Sequence, residues 1–146
     1  MRKIVSLALL SALLPFCCGM ALAVDLGQQR EAAMKAIANA AKTGFGMASG
    51  KTPFDAAVAS QAMALIAAEA SAFPGLFPEG SGKADPRASP EIWQNRADFE
   101  AYAKTLADSA TAAGAAAGQG ADAFKSAFAA VGGACQGCHQ RYRLKN

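Results

Sequence analysis

The chain has 146 residues, 53% of them hydrophobic, with 14 Lys and Arg against 11 Asp and Glu and one histidine. That length suits a single domain with a modest core. No basic run is interleaved with aromatics, which argues against a nucleic-acid partner.

The N-terminus reads as an export signal. Met1-Arg2-Lys3 is basic, Ile4 to Phe16 is an apolar run, and Ala21-Leu22-Ala23 is an A-x-A cleavage pattern. The alternative is an uncleaved anchor, because Ile4 to Val24 is almost wholly apolar and could just span a bilayer of about 30 Å. Pro15 and the Ala-Leu-Ala site favour cleavage. Lipidation at Cys17 or Cys18 is disfavoured, since Phe16 and Cys17 are poor small residues to precede a lipidated cysteine. Residues 1–23 are thus expected to be removed, leaving 24–146, or 123 residues, as the domain. Losing Arg2 and Lys3 leaves 12 basic residues against 11 acidic ones, so the apparent basicity belongs mostly to the signal. No membrane association is expected after cleavage.

The rest of the chain is rich in alanine and poor in β-branched residues, which favours helix over strand. Leu26 to about Met47 is the first expected helix, with Arg30, Met34, Ile37 and Ala41 at helical spacing, and Ala48-Ser49-Gly50-Lys51 ends it. Thr52-Pro53-Phe54-Asp55 opens the second, with Thr52 as N-cap and Pro53 at the first helical position, running to about Ala72. Phe73 to Ser89 holds Pro74, Pro78 and Pro86 with Gly75, Gly80 and Gly82, and reads as one long connection. Ser89-Pro90-Glu91 starts a third helix carrying Ile92, Trp93, Phe99, Tyr102 and Leu106, which fades near Gly114 to Gly120. A fourth runs from about Ala121 to Leu144. Gly132-Gly133 inside it suggests a close backbone approach. Four helices with two short links and one long one predict an all-α, antiparallel up-down four-helix bundle. So many alanines bury little area each, and a large flat apolar cofactor would fill the middle.

The chemistry is concentrated in Cys135-Gln136-Gly137-Cys138-His139. A structural zinc site wants four ligands, and the domain offers no fourth thiolate or imidazole. A thioredoxin-like pair is expected beside a βαβ pattern, not at the end of an all-helical chain. An ordinary disulfide remains possible in an oxidising compartment. Haem c attachment, C-x-x-C-H, accounts for all three residues together. Cys135 and Cys138 form thioethers to the vinyl groups from one helix face, and His139 ligates the iron. Cys17 and Cys18 leave with the signal.

With these residues in place the chain resembles the cytochrome c prime family, the class II c-type cytochromes. The resemblance covers residues 24–146. Its most specific part is the C-terminal position of Cys135-Gln136-Gly137-Cys138-His139. Gly50-Lys51-Thr52-Pro53-Phe54-Asp55, Leu76-Phe77-Pro78-Glu79-Gly80-Ser81 and Pro90-Glu91-Ile92-Trp93 are also similar. The resemblance implies a periplasmic protein with one covalent haem c near the C-terminal helix, often a homodimer packing its first two helices. It implies electron exchange with redox partner proteins, binding of nitric oxide and carbon monoxide, or both. Enzymatic turnover is not expected, because no second histidine and no obvious paired acids stand where distal acid-base work would need them. Arg30 matches an arginine that pairs with a haem propionate, Glu31 falls at the haem edge, and Phe77 at the distal pocket. Arg143, four residues after His139, matches an arginine near the proximal face. Trp93 is expected to pack against the haem or in the core, and Tyr142 to pack.

The sixth iron ligand divides the family. His139 is the only histidine, so the candidates are Met34, Met47 and Met63, Met20 leaving with the signal. Met34 lies four residues after Arg30, where the resemblance places a residue over the distal haem face. In low-spin relatives, the cytochrome c-556 type, a methionine of the first helix binds the iron. Because Arg30 matches the propionate-pairing arginine, the expectation is that Met34 covers a five-coordinate, high-spin iron without binding it. The alternative is a six-coordinate electron-transfer cytochrome with Met34 as sixth ligand.

Overall fold

The structure, a computed structural model, describes residues 25–145, and the expected signal at 1–23 lies outside them. Asp25 opens helix α1 (Leu26–Ala48) by accepting a hydrogen bond from the Gly27 N–H at 2.9 Å. Gly50, at φ 73°, closes the turn after it. Helix α2 (Ala56–Ala72) starts later than its sequence suggests. Asp55, not Thr52, is the N-cap, its carboxylate accepting from the Val58 N–H at 3.0 Å, and Pro53 lies in the linker. The Asp55 N–H in turn reaches the Met47 sulfur at 3.4 Å, which ties the start of α2 to the end of α1.

The long connection contains two 3-10 turns, Phe73–Leu76 and Ser81–Ala84. The third expected helix is broken in two. The Ser89 hydroxyl accepts from the Glu91 N–H at 3.3 Å and starts a single turn, α3 (Glu91–Gln94). Asn95 then leaves helical geometry at φ −122°, ψ 50°, and α4 (Arg96–Ala117) begins. Helix α5 (Ala121–Tyr142) ends two residues before Leu144. Arg143 is extended there because the chain pairs with the connection: the Ser89 N–H donates to Tyr142 O at 3.0 Å and the Leu144 N–H to Arg87 O at 2.8 Å.

α1, α2, α4 and α5 form an antiparallel up-down four-helix bundle. α2 packs closely on α4, α4 on α5 and α1 on α2, while α1 and α5 touch least of the neighbouring pairs. The main core is built on small side chains, with Ala59, Ala110, Ala113 and Ala117 fully buried beside Met63, Ile66 and Phe124. A second, aromatic cluster of Phe77, Ile92, Phe99 and Tyr142 closes one end.

Among the described residues none makes the close approach expected at Gly132-Gly133: a Cβ at either would meet nothing within 4 Å. The tight positions are elsewhere. At Gly44 a Cβ would lie 2.6 Å from the Phe128 ring, where α1 meets α5. At Gly27 a Cβ would fall onto the Ala84 carbonyl oxygen, so this glycine lets the connection lie against α1. Helix propensity alone favours alanine over glycine by about 0.5–1 kcal/mol, whereas overpacking costs about 1–3 kcal/mol. Gly27→Ala is therefore expected to lower the thermal midpoint. A raised midpoint would show that the connection yields freely.

Candidate functional site

Where α1 and α5 diverge they leave a cavity of about 550 Å³, within the size range of small-molecule and cofactor sites. Every site residue expected from the sequence lines it: Arg30, Glu31 and Met34 from α1, Phe77 from the connection, Cys135, Cys138 and His139 from α5, and Arg143 just beyond. Small side chains, Ala38 and Ala41 of α1 and Ala103 of α4, widen it, and Phe99, Tyr102 and Leu106 of α4 form its floor.

The two cysteines are half-buried and unbonded. Burial raises the Cys135 thiol above its ordinary value, and burial together with the neighbouring Cys135 pushes Cys138 up to about 11. Both are neutral thiols near neutral pH, unlike the low-pKa thiolate of a thiol-disulfide oxidoreductase. Gly137 between them lies close against α4: a Cβ there would come within 3.2 Å of the Tyr102 ring, which would have to shift by a few tenths of an ångström. His139 is exposed at the cavity edge. Partial desolvation and then the charge of Arg143 hold its pKa below the ordinary imidazole value, favouring the neutral form that binds metals. Arg143 was expected on the helical face of His139. It reaches the cavity from extended backbone, set there by the pairing with the connection. Among the described residues no three His, Cys, Asp or Glu side chains converge as a metal cluster.

On α1, Arg30 is only 1% exposed. Its Nε donates to Leu76 O at 3.0 Å, Nη1 and Nη2 to Ser81 O at 3.2 and 3.3 Å, and Nη2 also to Ser81 Oγ at 2.7 Å. The guanidinium lies 4.0 Å over the Phe77 ring. Burial lowers its pKa, and Asp85 opposes that shift. Trp93 is not on the cavity wall. It backs Phe77 at 6.0 Å between centroids and donates from its indole nitrogen to Pro78 O at 3.0 Å. Of the three candidate methionines, Met34 alone lines the cavity: Met47 and Met63 are buried in the main core.

The sequence reading missed Asp85 and Arg87, which also line the cavity. Their signal was Asp85-Pro86-Arg87, because an aspartate that bonds the backbone two residues on makes a turn. Here Asp85 accepts from the Arg87 N–H at 2.9 Å. A flat, mostly apolar group with a charged edge fits this cavity: two neutral thiols and an imidazole stand along one helix, and the remaining wall is alanine, aliphatic and aromatic side chains together with charged ones.

The family model described as Cytochrome C′ matches residues 25–143. A cytochrome c-556 of Agrobacterium fabrum is 36% identical over 129 residues, covering 88% of this chain and 88% of the relative. The solved cytochrome c′ of Rhodopseudomonas palustris superposes with a TM-score of 0.78 at 34% identity, covering 84% of this chain and 98% of that one. The nitric oxide complex of a mutant cytochrome c prime from Alcaligenes xylosoxidans superposes at 0.75 with 26% identity, covering 82% of this chain and 94% of that one.

Tyr142 fixes the end of α5 beside the cavity. It is buried, its ring packs edge-on to Phe99 at 5.2 Å, and its hydroxyl donates to Asp98 Oδ2 at 2.5 Å. Burial and then Asp98 push its pKa up to about 12. A raised folded-state pKa favours the protonated phenol, so this stabilisation is complete below the ordinary value near 10 and is lost as pH rises through about 12. Tyr142→Phe is expected to cost about 1.5–3 kcal/mol in denaturant unfolding near neutral pH. It should also flatten the fall in stability above pH 10. A cost near zero with an unchanged alkaline limb would show that the bond contributes nothing.

Proposed function

The chain belongs to the cytochrome c′ family and carries haem c, and from that premise we propose that it is an exported electron-transfer cytochrome whose haem iron would be held by His139 and Met34. The bound haem supplies one-electron redox chemistry at the iron. The chain's own residues do the rest. Cys135 and Cys138 tether the ring through thioethers, and His139 is the nitrogen ligand one residue later. Met34 offers a thioether from the α1 wall, a ligand that raises the potential of a His-ligated haem.

The observation that carries this reading is that Met34 alone among the candidate methionines lines the cavity. The expectation of a five-coordinate iron rested on Arg30 as a propionate partner. Arg30 lines the cavity while donating to Leu76 and Ser81, and its match to a propionate-pairing arginine supports the second reading below. The similarity to a cytochrome c-556 then tips the balance toward ligation. The second reading keeps Met34 as a cover over a five-coordinate iron that takes up nitric oxide or carbon monoxide. It is favoured by the likeness to a cytochrome c prime that forms a nitric oxide complex. In either reading no second histidine supplies distal acid-base chemistry, so turnover is not expected.

Export to the periplasm, with cleavage after Ala23, is part of the same proposal. Mass spectrometry of protein from a host that matures c-type haem should find a chain starting at Val24 with haem on the peptide containing Cys135. Self-association through α1 and α2 completes it. Phe45, Val58 and Leu65 are 53%, 43% and 42% exposed, and α2 carries Glu69 as its only charge. By length and composition the segment Ala56–Leu76 could cross a membrane, but on a bundle helix such a face suits a second copy. Leu65→Asp is expected to weaken dimerisation at least tenfold, equivalent to about 1.4 kcal/mol, read by sedimentation. An unchanged monomeric profile in both proteins would end this part.

The test of ligation is Met34→Leu. The ferrous wild type should be low-spin and slow to take up carbon monoxide. Met34→Leu should turn high-spin and bind it about tenfold faster or more, as expected if about 1.4 kcal/mol of barrier is removed. A high-spin wild type that barely changes on substitution would establish the gas-binding reading instead.

A further inference from the structure

At the cavity rim two arginines are held in opposite ways. Arg30 is buried, and its Nε and both Nη atoms donate to Leu76 and Ser81. Arg87 is fixed through its backbone and one nitrogen. Its N–H donates to Asp85 Oδ1 at 2.9 Å, its carbonyl accepts from the Leu144 N–H at 2.8 Å, and its Nε donates to the same Asp85 oxygen at 3.2 Å. Among the described residues Nη1 and Nη2 of Arg87 have no hydrogen-bond partner. The side chain is 36% exposed, while Asp85, which holds it, is only 14% exposed.

The charge at the rim agrees. Lys35 and Glu31 pair with each other at 2.8 Å. Asp85 faces both Arg30 and Arg87, and Glu31 also feels the charge of Arg87, but the two carboxylates stand against Arg30, Lys35, Arg87 and Arg143 on the cavity wall, so the positive charge is not fully compensated. Arg143 adds another cation on the α5 side of the cavity, next to His139. A guanidinium with its terminal fork open matches a carboxylate in two parallel hydrogen bonds. Its backbone is already ordered at both ends, so little entropy is lost on binding.

Resting on the haem c reading, we infer that Arg87, positioned by Asp85, receives a haem propionate, and that Arg30 serves as the lock of the connection. Asp85 is a positioning residue here, and its charge also tunes the rim.

The test uses the mature holoprotein, with the haem adduct first confirmed by mass. The readouts are the propionate bending band in the resonance Raman spectrum, which reports hydrogen bonding to the carboxylate, and the midpoint potential. Arg87→Gln is expected to shift the band and lower the potential, because a cation beside the haem is lost. Asp85→Asn, which leaves Arg87 charged but unheld, should shift the band while raising the potential. Thermal midpoints close to wild type in Arg87→Gln would show that the fold is intact. A propionate band unchanged in both variants would overturn the assignment. A chain that carries no haem adduct would instead overturn the functional reading beneath it.

Discussion

A guanidinium cannot be buried without partners, and at Arg30 that constraint shapes the cavity. Leaving a buried charge unsatisfied costs several kcal/mol, so α1 and the connection must meet where Leu76 and Ser81 can accept from it. The Ser81 hydroxyl passes the demand on by donating to Pro78 O at 2.6 Å. With the connection held there, Phe77 lies under the guanidinium and the following residues run along the cavity rim. They then pair with the end of α5 through Ala88 and Arg143. One buried cation on α1 thus links, through the connection, to the backbone just after His139.

The core divides its labour in a way that explains the cavity. Alanines let α2 and α4 approach closely, but small side chains contribute little burial each. The aromatic cluster seals one end with edge-on contacts, among them Phe77 to Phe99 at 5.1 Å and Phe99 to Tyr142 at 5.2 Å. Between them α1 and α5 stand apart, and the space falls to a cofactor held covalently from α5. A tether at two cysteines suits such a site, because attachment does not depend on tight packing around the ring.

Much of this was legible in the sequence, for identifiable reasons. Helix extents followed from alanine runs punctuated by glycine and proline. The site followed from C-x-x-C-H and from the helical spacing of Arg30 and Met34, all of which meet at one cavity. The misreadings were local competitions. Thr52-Pro53 has the form of a helix start, yet Asp55 captures the Val58 N–H and wins the cap. Nothing between Trp93 and Phe99 announces the break at Asn95, where the Asn95 side chain turns back to Glu91 Oε2 at 2.5 Å. Among the described residues nothing packs at Gly132-Gly133, whereas Gly27 matters because of Ala84, far away in sequence. Arg143 leaves the helix for a backbone pairing that no local pattern encodes. Partners distant along the chain were also out of sight for Arg30: the residue was visible, but its acceptors Leu76 and Ser81 were not.

What the protein does then turns on one sulfur. If Met34 binds the iron, α1 and α5 are joined through the metal and the site is built for electrons. If it does not, the same cavity is built for a small gas. Iron K-edge absorption fine structure of the ferrous holoprotein addresses the bond itself. The account predicts one sulfur scatterer in the first shell of the wild type and none in Met34→Leu, and a wild-type shell of nitrogen and oxygen alone would contradict it.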